Sequence, residues 1–136
     1  MYSIGDLSRR TGVKITTIRY YEQMGLIDAP ERSAGNQRRY SQAGLKRLSF
    51  IRHSRDLGFS IEDIRELLEL SQHGEEPCDN AHEIAARHLK QIKAKLARLK
   101  RLETELGRLS ACSAGSIADC AVIETLADHT HCEAEH

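Results

Sequence analysis

A proline-free run from about Asp79 to Leu109 constrains this chain more than any other feature, because its large apolar residues recur at helical spacing. Leu89, Ile92, Leu96, Leu99, Leu102, Leu106 and Leu109 follow one another at intervals of 3, 4, 3, 3, 4 and 3 residues, the pattern of a coiled-coil seam. The consecutive 3-3 step is a local phase shift rather than a strict heptad, and Gly107 weakens the far end. A helix of about 45 Å, at 1.5 Å per residue, cannot cover its own stripe and needs a partner helix. A second copy of the chain is the simplest source, which predicts a homodimer. With 136 residues in all, the chain has room for one ordinary domain or a small domain plus this extended element, and a large multidomain enzyme is excluded. No stretch approaches ~18 consecutive apolar residues and the start has no apolar run, so a cytoplasmic protein with no membrane segment is expected.

Upstream of the seam the punctuation marks several short helices. Ser3 followed by Asp6 is a capping-box start, with Ile4 and Leu7 on one face and Gly12 as a stop. A second helical stretch, Ile15 to Met24, stops at Gly25. Two short helices joined by a tight turn form a helix-turn-helix pattern, whose second helix enters the DNA major groove. Leu26-Ile27 and Gln37-Arg38-Arg39-Tyr40 then flank a segment with Pro30, Ser33, Gly35 and Asn36, which reads as a β-hairpin or loop, a wing. Ser41 opens a further helix carrying Leu45, Leu48 and Ile51, and Ser60 with Asp63 caps another carrying Ile61, Ile64, Leu67 and Leu68.

The formal net charge is zero, yet it is unevenly spread. Residues 1–58 hold 11 Lys and Arg against 5 Asp and Glu, whereas residues 59–136 hold 9 against 15. The basic half is the one suited to an anionic partner. In it Arg19, Arg38 and Arg39 are interleaved with Tyr20, Tyr21 and Tyr40, types suited to phosphate and base contact. The alternative is that the arginines coat a solvated face and a tyrosine packs inside; one of Tyr20 and Tyr21 is expected to do so.

All four cysteines, Cys78, Cys112, Cys120 and Cys132, lie in the acidic half. In a reducing cytosol clustered cysteines suit metal or redox chemistry better than structural disulfides. Cys112 and Cys120 bracket the small-residue stretch 113–119, long enough for two thiolates to converge on one ion. Cys78 and Cys112 lie at opposite ends of the long helix, about 50 Å apart at 1.5 Å per residue, and cannot share an ion within one subunit. An antiparallel pair of helices would bring Cys78 of one subunit to the Cys112/Cys120 loop of the other, giving two equivalent sites. Packing and a redox dithiol are the alternatives. Thiolate-rich sites favour zinc, cadmium, lead, mercury or copper(I) over magnesium and calcium. His82, four residues after Cys78, His88, and His131 with Cys132 in the tail are candidate accessory ligands; the other reading of that tail is a disordered polar end. His53 and His73 read as solvated.

The run Thr17-Ile-Arg-Tyr-Tyr-Glu22, with Gly25-Leu-Ile27, Pro30, Arg32 and Gly35-Asn-Gln-Arg-Arg-Tyr40, resembles the start of MerR-family transcriptional regulators. The resemblance extends over essentially the whole chain. It implies a mainly α fold: a winged helix-turn-helix DNA-binding domain with helical connector over 1–71, a hinge and dimerisation helix of an antiparallel coiled coil over 72–110, and a metal-binding loop and tail over 111–136. Carried over by position, it implies DNA contact by Lys14, Thr17, Arg19 and Tyr20 in the recognition-helix segment and by Arg32, Arg38 and Tyr40 in the wing. Gln37 departs from the tyrosine common at that position.

In the metal-sensing branch the residue at the start of the dimer helix is Cys in sensors of divalent ions and Ser in sensors of copper(I)-type ions. Cys78 therefore implies a divalent effector, in keeping with the charge and coordination a third thiolate supplies. The seven-residue spacing from Cys112 to Cys120 resembles copper-type loops instead. The implied mechanism is occupancy of double-stranded promoter DNA alongside RNA polymerase, repressing without metal and activating by DNA distortion when the ion binds. An iron–sulfur sensor would want a tight cysteine cluster and a drug sensor a larger C-terminal domain than the 27 residues after Leu109. A metal-storage or chaperone protein would leave the basic winged segment without a role. No Cys-x-x-Cys, Gly-rich phosphate loop or His-Glu-x-x-His motif is present, so the chain is not expected to be an enzyme.

Overall fold

The computed structural model describes residues 1–28, 30–32, 34–35, 38–111 and 115–128, with the backbone alone at 31 and 38. The chain divides into two compact units, Met1–Ala81 and His82–His136.

The first unit opens with α1, Ile4–Thr11. Its capping box forms as the sequence predicts: the Ser3 hydroxyl accepts from the Asp6 amide at 3.1 Å, and the Asp6 carboxylate accepts from the Ser3 amide at 3.2 Å. The carboxylate also pairs with Arg9. Those bonds to Ser3, the amide first, and then the Arg9 charge hold the Asp6 carboxyl below its ordinary value. Gly12 ends the helix in the left-handed conformation, φ 74°. After α2, Ile15–Gln23, the chain turns again at Gly25, φ 75°. α3 spans Gln42–Asp56 and α4 Ile61–Ser71, each with the predicted serine cap.

Leu7, Ile18, Tyr21, Leu26, Leu48, Ile51, Ile64 and Leu68 meet in one hydrophobic cluster drawn from all four helices and the turn after α2. Three guanidinium groups tie those elements together. Arg52 donates to the Thr11 carbonyl at 3.0 Å, Arg65 to the Met24 carbonyl at 3.0 Å and Arg47 to the Leu26 carbonyl at 2.5 Å. The ends of α1 and α2 carry carbonyls with no helical partner and a partial negative charge, so a cation is favoured at each.

The wing is a hairpin of β1, Glu31–Arg32, and β2, Arg38–Arg39, with Glu31 opposite Arg39 and Arg32 opposite Arg38. The sequence pattern places the first flank at Leu26-Ile27. Both residues are instead buried in the core, because their side chains gain more from the helical cluster than from a two-stranded ribbon open to water. A single bridge joins Tyr2 to Tyr40 just past β2, with reciprocal backbone bonds of 2.8 and 2.7 Å.

α5 runs from Asp79 to Ser110, beginning within the first unit and forming most of the second. Leu89, Leu96, Leu99 and Leu106 are 54 to 62 % exposed along it. Ile84, His88, Glu105 and Leu109 are its buried residues, and Arg108 donates to the buried Glu105 carboxylate at 2.6 Å. The stretch that reads as loop before Cys120 contains a 3-10 turn at Ile117–Asp119, and a helix that the sequence pattern does not announce, α6, follows at Ala121–Ala127. Among the described residues no helix is long and apolar enough to cross a membrane.

Candidate nucleic-acid interface and metal-ligand residues

Burial of Ile18 and Tyr21 orients α2 and leaves Arg19 and Tyr20 on its outer face. The two adjacent tyrosines separate as expected: Tyr21 is 7 % exposed and Tyr20 is 52 % exposed. Lys14 is exposed at the N-terminal cap, where its side chain makes no capping hydrogen bond, and Thr17 is half-buried. A recognition helix needs this division, with one side committed to the core and the other presenting donors to a groove.

In the wing, Arg32 is exposed and Arg39 half-buried. The Arg38 side chain lies outside the described residues. Tyr40 differs from its expected role. It is 4 % exposed, and its hydroxyl donates to the Glu22 carboxylate on α2. A ring covered to that degree does not lie on a surface open to DNA; it joins the wing to the recognition helix.

The basic half also spends charge internally in a way composition does not reveal. Besides Arg47 and Arg52, Arg9 pairs with Asp6, Arg55 donates to the Phe59 carbonyl at 3.0 Å, and the Arg10 guanidinium lies 4.9 Å from the centre of the Tyr2 ring. Arg47 and Arg52 each adjoin a fully buried residue, Leu48 and Ile51. An arginine beside a core position reaches back across the helix it packs on, and that adjacency is the signal the sequence offers.

Cys78 is exposed in the turn before α5, within the first unit. Cys120 is half-buried at the start of α6, within the second. Neither is in a disulfide. Cys112, His131 and Cys132 lie outside the described residues. His82 is exposed one turn into α5, while His88 is buried. Among the described residues no three His, Cys, Asp or Glu side chains of one chain form a group able to hold a metal ion. Two accessible thiols are nevertheless donors of the soft kind that suits zinc, cadmium, lead or mercury.

A small winged helix-turn-helix followed by one long helix defines a DNA-binding transcriptional regulator. Residues 2–71 match the MerR HTH family regulatory protein domain, and residues 45–109 the MerR DNA-binding domain. The chain belongs to the MerR family, whose members are regulators rather than enzymes, bind promoter DNA and act as dimers. It is 39 % identical over 130 residues to the HTH-type transcriptional regulator ZntR of Escherichia coli, covering 93 % of this chain and 92 % of that one. The mercuric resistance operon regulatory protein of Bacillus cereus is 38 % identical over 127 residues, 92 % of this chain and 96 % of its own. Among solved structures, the transcription regulator PbrR691 from Ralstonia metallidurans, in complex with lead(II), superposes with a TM-score of 0.78 at 35 % identity, covering 93 % of this chain and 99 % of that one.

Proposed function

We propose that this chain is a cytoplasmic, homodimeric regulator that occupies a promoter and activates transcription when a divalent soft or borderline ion, zinc, cadmium, lead or mercury, binds. The observation that carries the reading is Cys78, exposed immediately before a long helix, in a chain alike over nearly its whole length to a lead-bound regulator and to a mercuric resistance regulator. The functional segments are the DNA-binding domain with connector at 1–71, the hinge and dimerisation helix at 72–110, and the metal-binding loop and tail at 111–136. Cys78 of one protomer and Cys112 with Cys120 of the other are the proposed ligands, with His82, His88, His131 and Cys132 as accessory candidates. Lys14, Thr17, Arg19, Tyr20, Arg32 and Arg38 are the proposed DNA contacts. Support for self-association comes from the exposed leucines of α5, since covering each is worth about 1 kcal/mol or more.

RNA polymerase at the same promoter is the second partner. The ion shifts the dimer between two shapes, and the bending and twisting energy of bound DNA reads out the difference. By linkage, operator DNA must alter metal affinity by the same factor that metal alters operator affinity. The test is in vitro transcription from the protein's own promoter, with wild type, Cys78→Ser and Cys112→Ser, against zinc, cadmium, lead, mercury and copper(I). Divalent activation of wild type alone is expected, with operator binding by Cys78→Ser near normal. Activation only by copper(I), the reading that the Cys112 to Cys120 spacing favours, would overturn the divalent assignment.

A further inference from the structure

We infer that Tyr40 and Glu22 form a latch that fixes the spacing between the wing and the recognition helix, making both positioning residues for operator recognition. The inference rests on the DNA-binding reading and adds to it the means by which two separate contact elements are held in register. Strands of two residues each, Glu31–Arg32 and Arg38–Arg39, are too short to define their own orientation. The wing must take its direction from whatever anchors its ends.

Tyr40 follows β2 directly and is anchored in three ways. Its backbone exchanges hydrogen bonds of 2.8 and 2.7 Å with Tyr2, beside the N-terminus of α1. Its ring belongs to the hydrophobic cluster that also holds Ile18 and Tyr21 of α2. Its hydroxyl donates to the carboxylate of Glu22, one turn along α2 from the exposed Arg19. Tyr2 is braced in turn, with its hydroxyl donating to Gln42 at 2.6 Å and the Arg10 guanidinium over its ring. A carboxylate on a recognition helix repels phosphate, so its presence beside Arg19 costs DNA affinity that a second role has to offset. Accepting from Tyr40 supplies one, because this charge-assisted bond across 18 residues of sequence restrains the direction of β2 relative to α2.

The experiment measures operator affinity of the full-length protein against salt concentration, between about 50 and 200 mM, where the slope counts phosphate contacts. Tyr40→Phe keeps the ring and removes only the donor. It is expected to weaken operator binding about tenfold and to reduce the slope by about 1 per protomer, as wing contacts fall out of register. Glu22→Gln removes the charge but keeps an acceptor, and should retain the wild-type slope. Glu22→Ala should lose slope as Tyr40→Phe does, and the two together should be no worse than either alone. Thermal melting of each variant checks that the comparison is made on folded protein. A wild-type slope in Tyr40→Phe, or tighter binding with unchanged slope in Glu22→Ala, would overturn the latch and leave Glu22 a simple repulsive charge. Failure of the wild-type protein to bind its operator with any salt dependence would instead overturn the DNA-binding reading itself.

Discussion

The two units of this chain solve the problem of apolar surface in opposite ways. The N-terminal unit gathers eleven buried apolar residues, seven from four helices and four from the segments between them, into one cluster and ties those elements together with guanidinium–carbonyl bonds. The C-terminal unit leaves four leucines of its long helix more than half exposed. The first covers its cluster within one chain, whereas the second, in the proposed dimer, supplies half of an interface. On that proposal identical residue types carry intramolecular stability in one region and association in the other, and the same substitution should have different consequences in each.

The largest expected effect tests that contrast directly. Leu48→Ala empties a fully buried site and should lower the stability of the N-terminal unit by about 2–5 kcal/mol. Leu96→Ala deletes the same atoms from an exposed position of α5; it should leave amide protection in α1 to α3 unchanged and weaken self-association in sedimentation equilibrium. Equal loss of N-terminal protection in both variants would show that the units are not energetically distinct.

A smaller effect separates backbone strain from lost contacts within the first unit. Gly12→Ala meets a positive φ and also places its Cβ 2.6 Å from the Arg52 guanidinium that holds the end of α1. Gly25→Ala meets a similar φ of 75°, but nothing lies within 4 Å of its Cβ. Chemical denaturation should find Gly25→Ala destabilised by about 1 kcal/mol and Gly12→Ala by more, up to about 2 kcal/mol. Equal penalties would mean that Arg52 gives way without cost.

The smallest effect is confined to the start of α1. Because the native Asp6 carboxyl titrates below its ordinary value, its stabilisation is fully present above the unfolded value near pH 4 and is lost as pH falls through the lower native one. The protection of first-turn α1 amides, as exchange relative to the unstructured rate at the same pH, should fall over that acidic window in wild type. In Asp6→Asn that protection should already be lower at neutral pH and nearly flat through the window, while α5 amides follow no such dependence on Asp6.

Much of this architecture is legible in the sequence where local chemistry decides it. Ser3 with Asp6, Ser41, and Ser60 with Asp63 each cap the helix they predict, and the leucine spacing fixes α5 to within a residue of its end. What is not legible depends on contacts distant in sequence. Leu26 and Ile27 look like a strand flank until a core forms for them to enter. Tyr40 looks like a contact residue until its partner, Glu22, is brought to it by the fold. α6 is seven residues long and lacks a side-chain cap, so neither periodicity nor punctuation announces it. For the proposed metal ligands, Cys78 and Cys120 carry the right chemistry, and the proposed site joins them across two chains, an arrangement that the local pattern of one chain does not specify.

The exposed seam of α5 also has a genetic consequence. Because a copy of the same chain is the proposed cover for those leucines, a variant with a ruined winged half and an intact α5 would still assemble with normal chains. If both are made in equal amounts and pair at random, only about one quarter of the dimers would carry two working DNA-binding halves. Lesions upstream of residue 72 should therefore be dominant over wild type, and lesions that break the seam recessive.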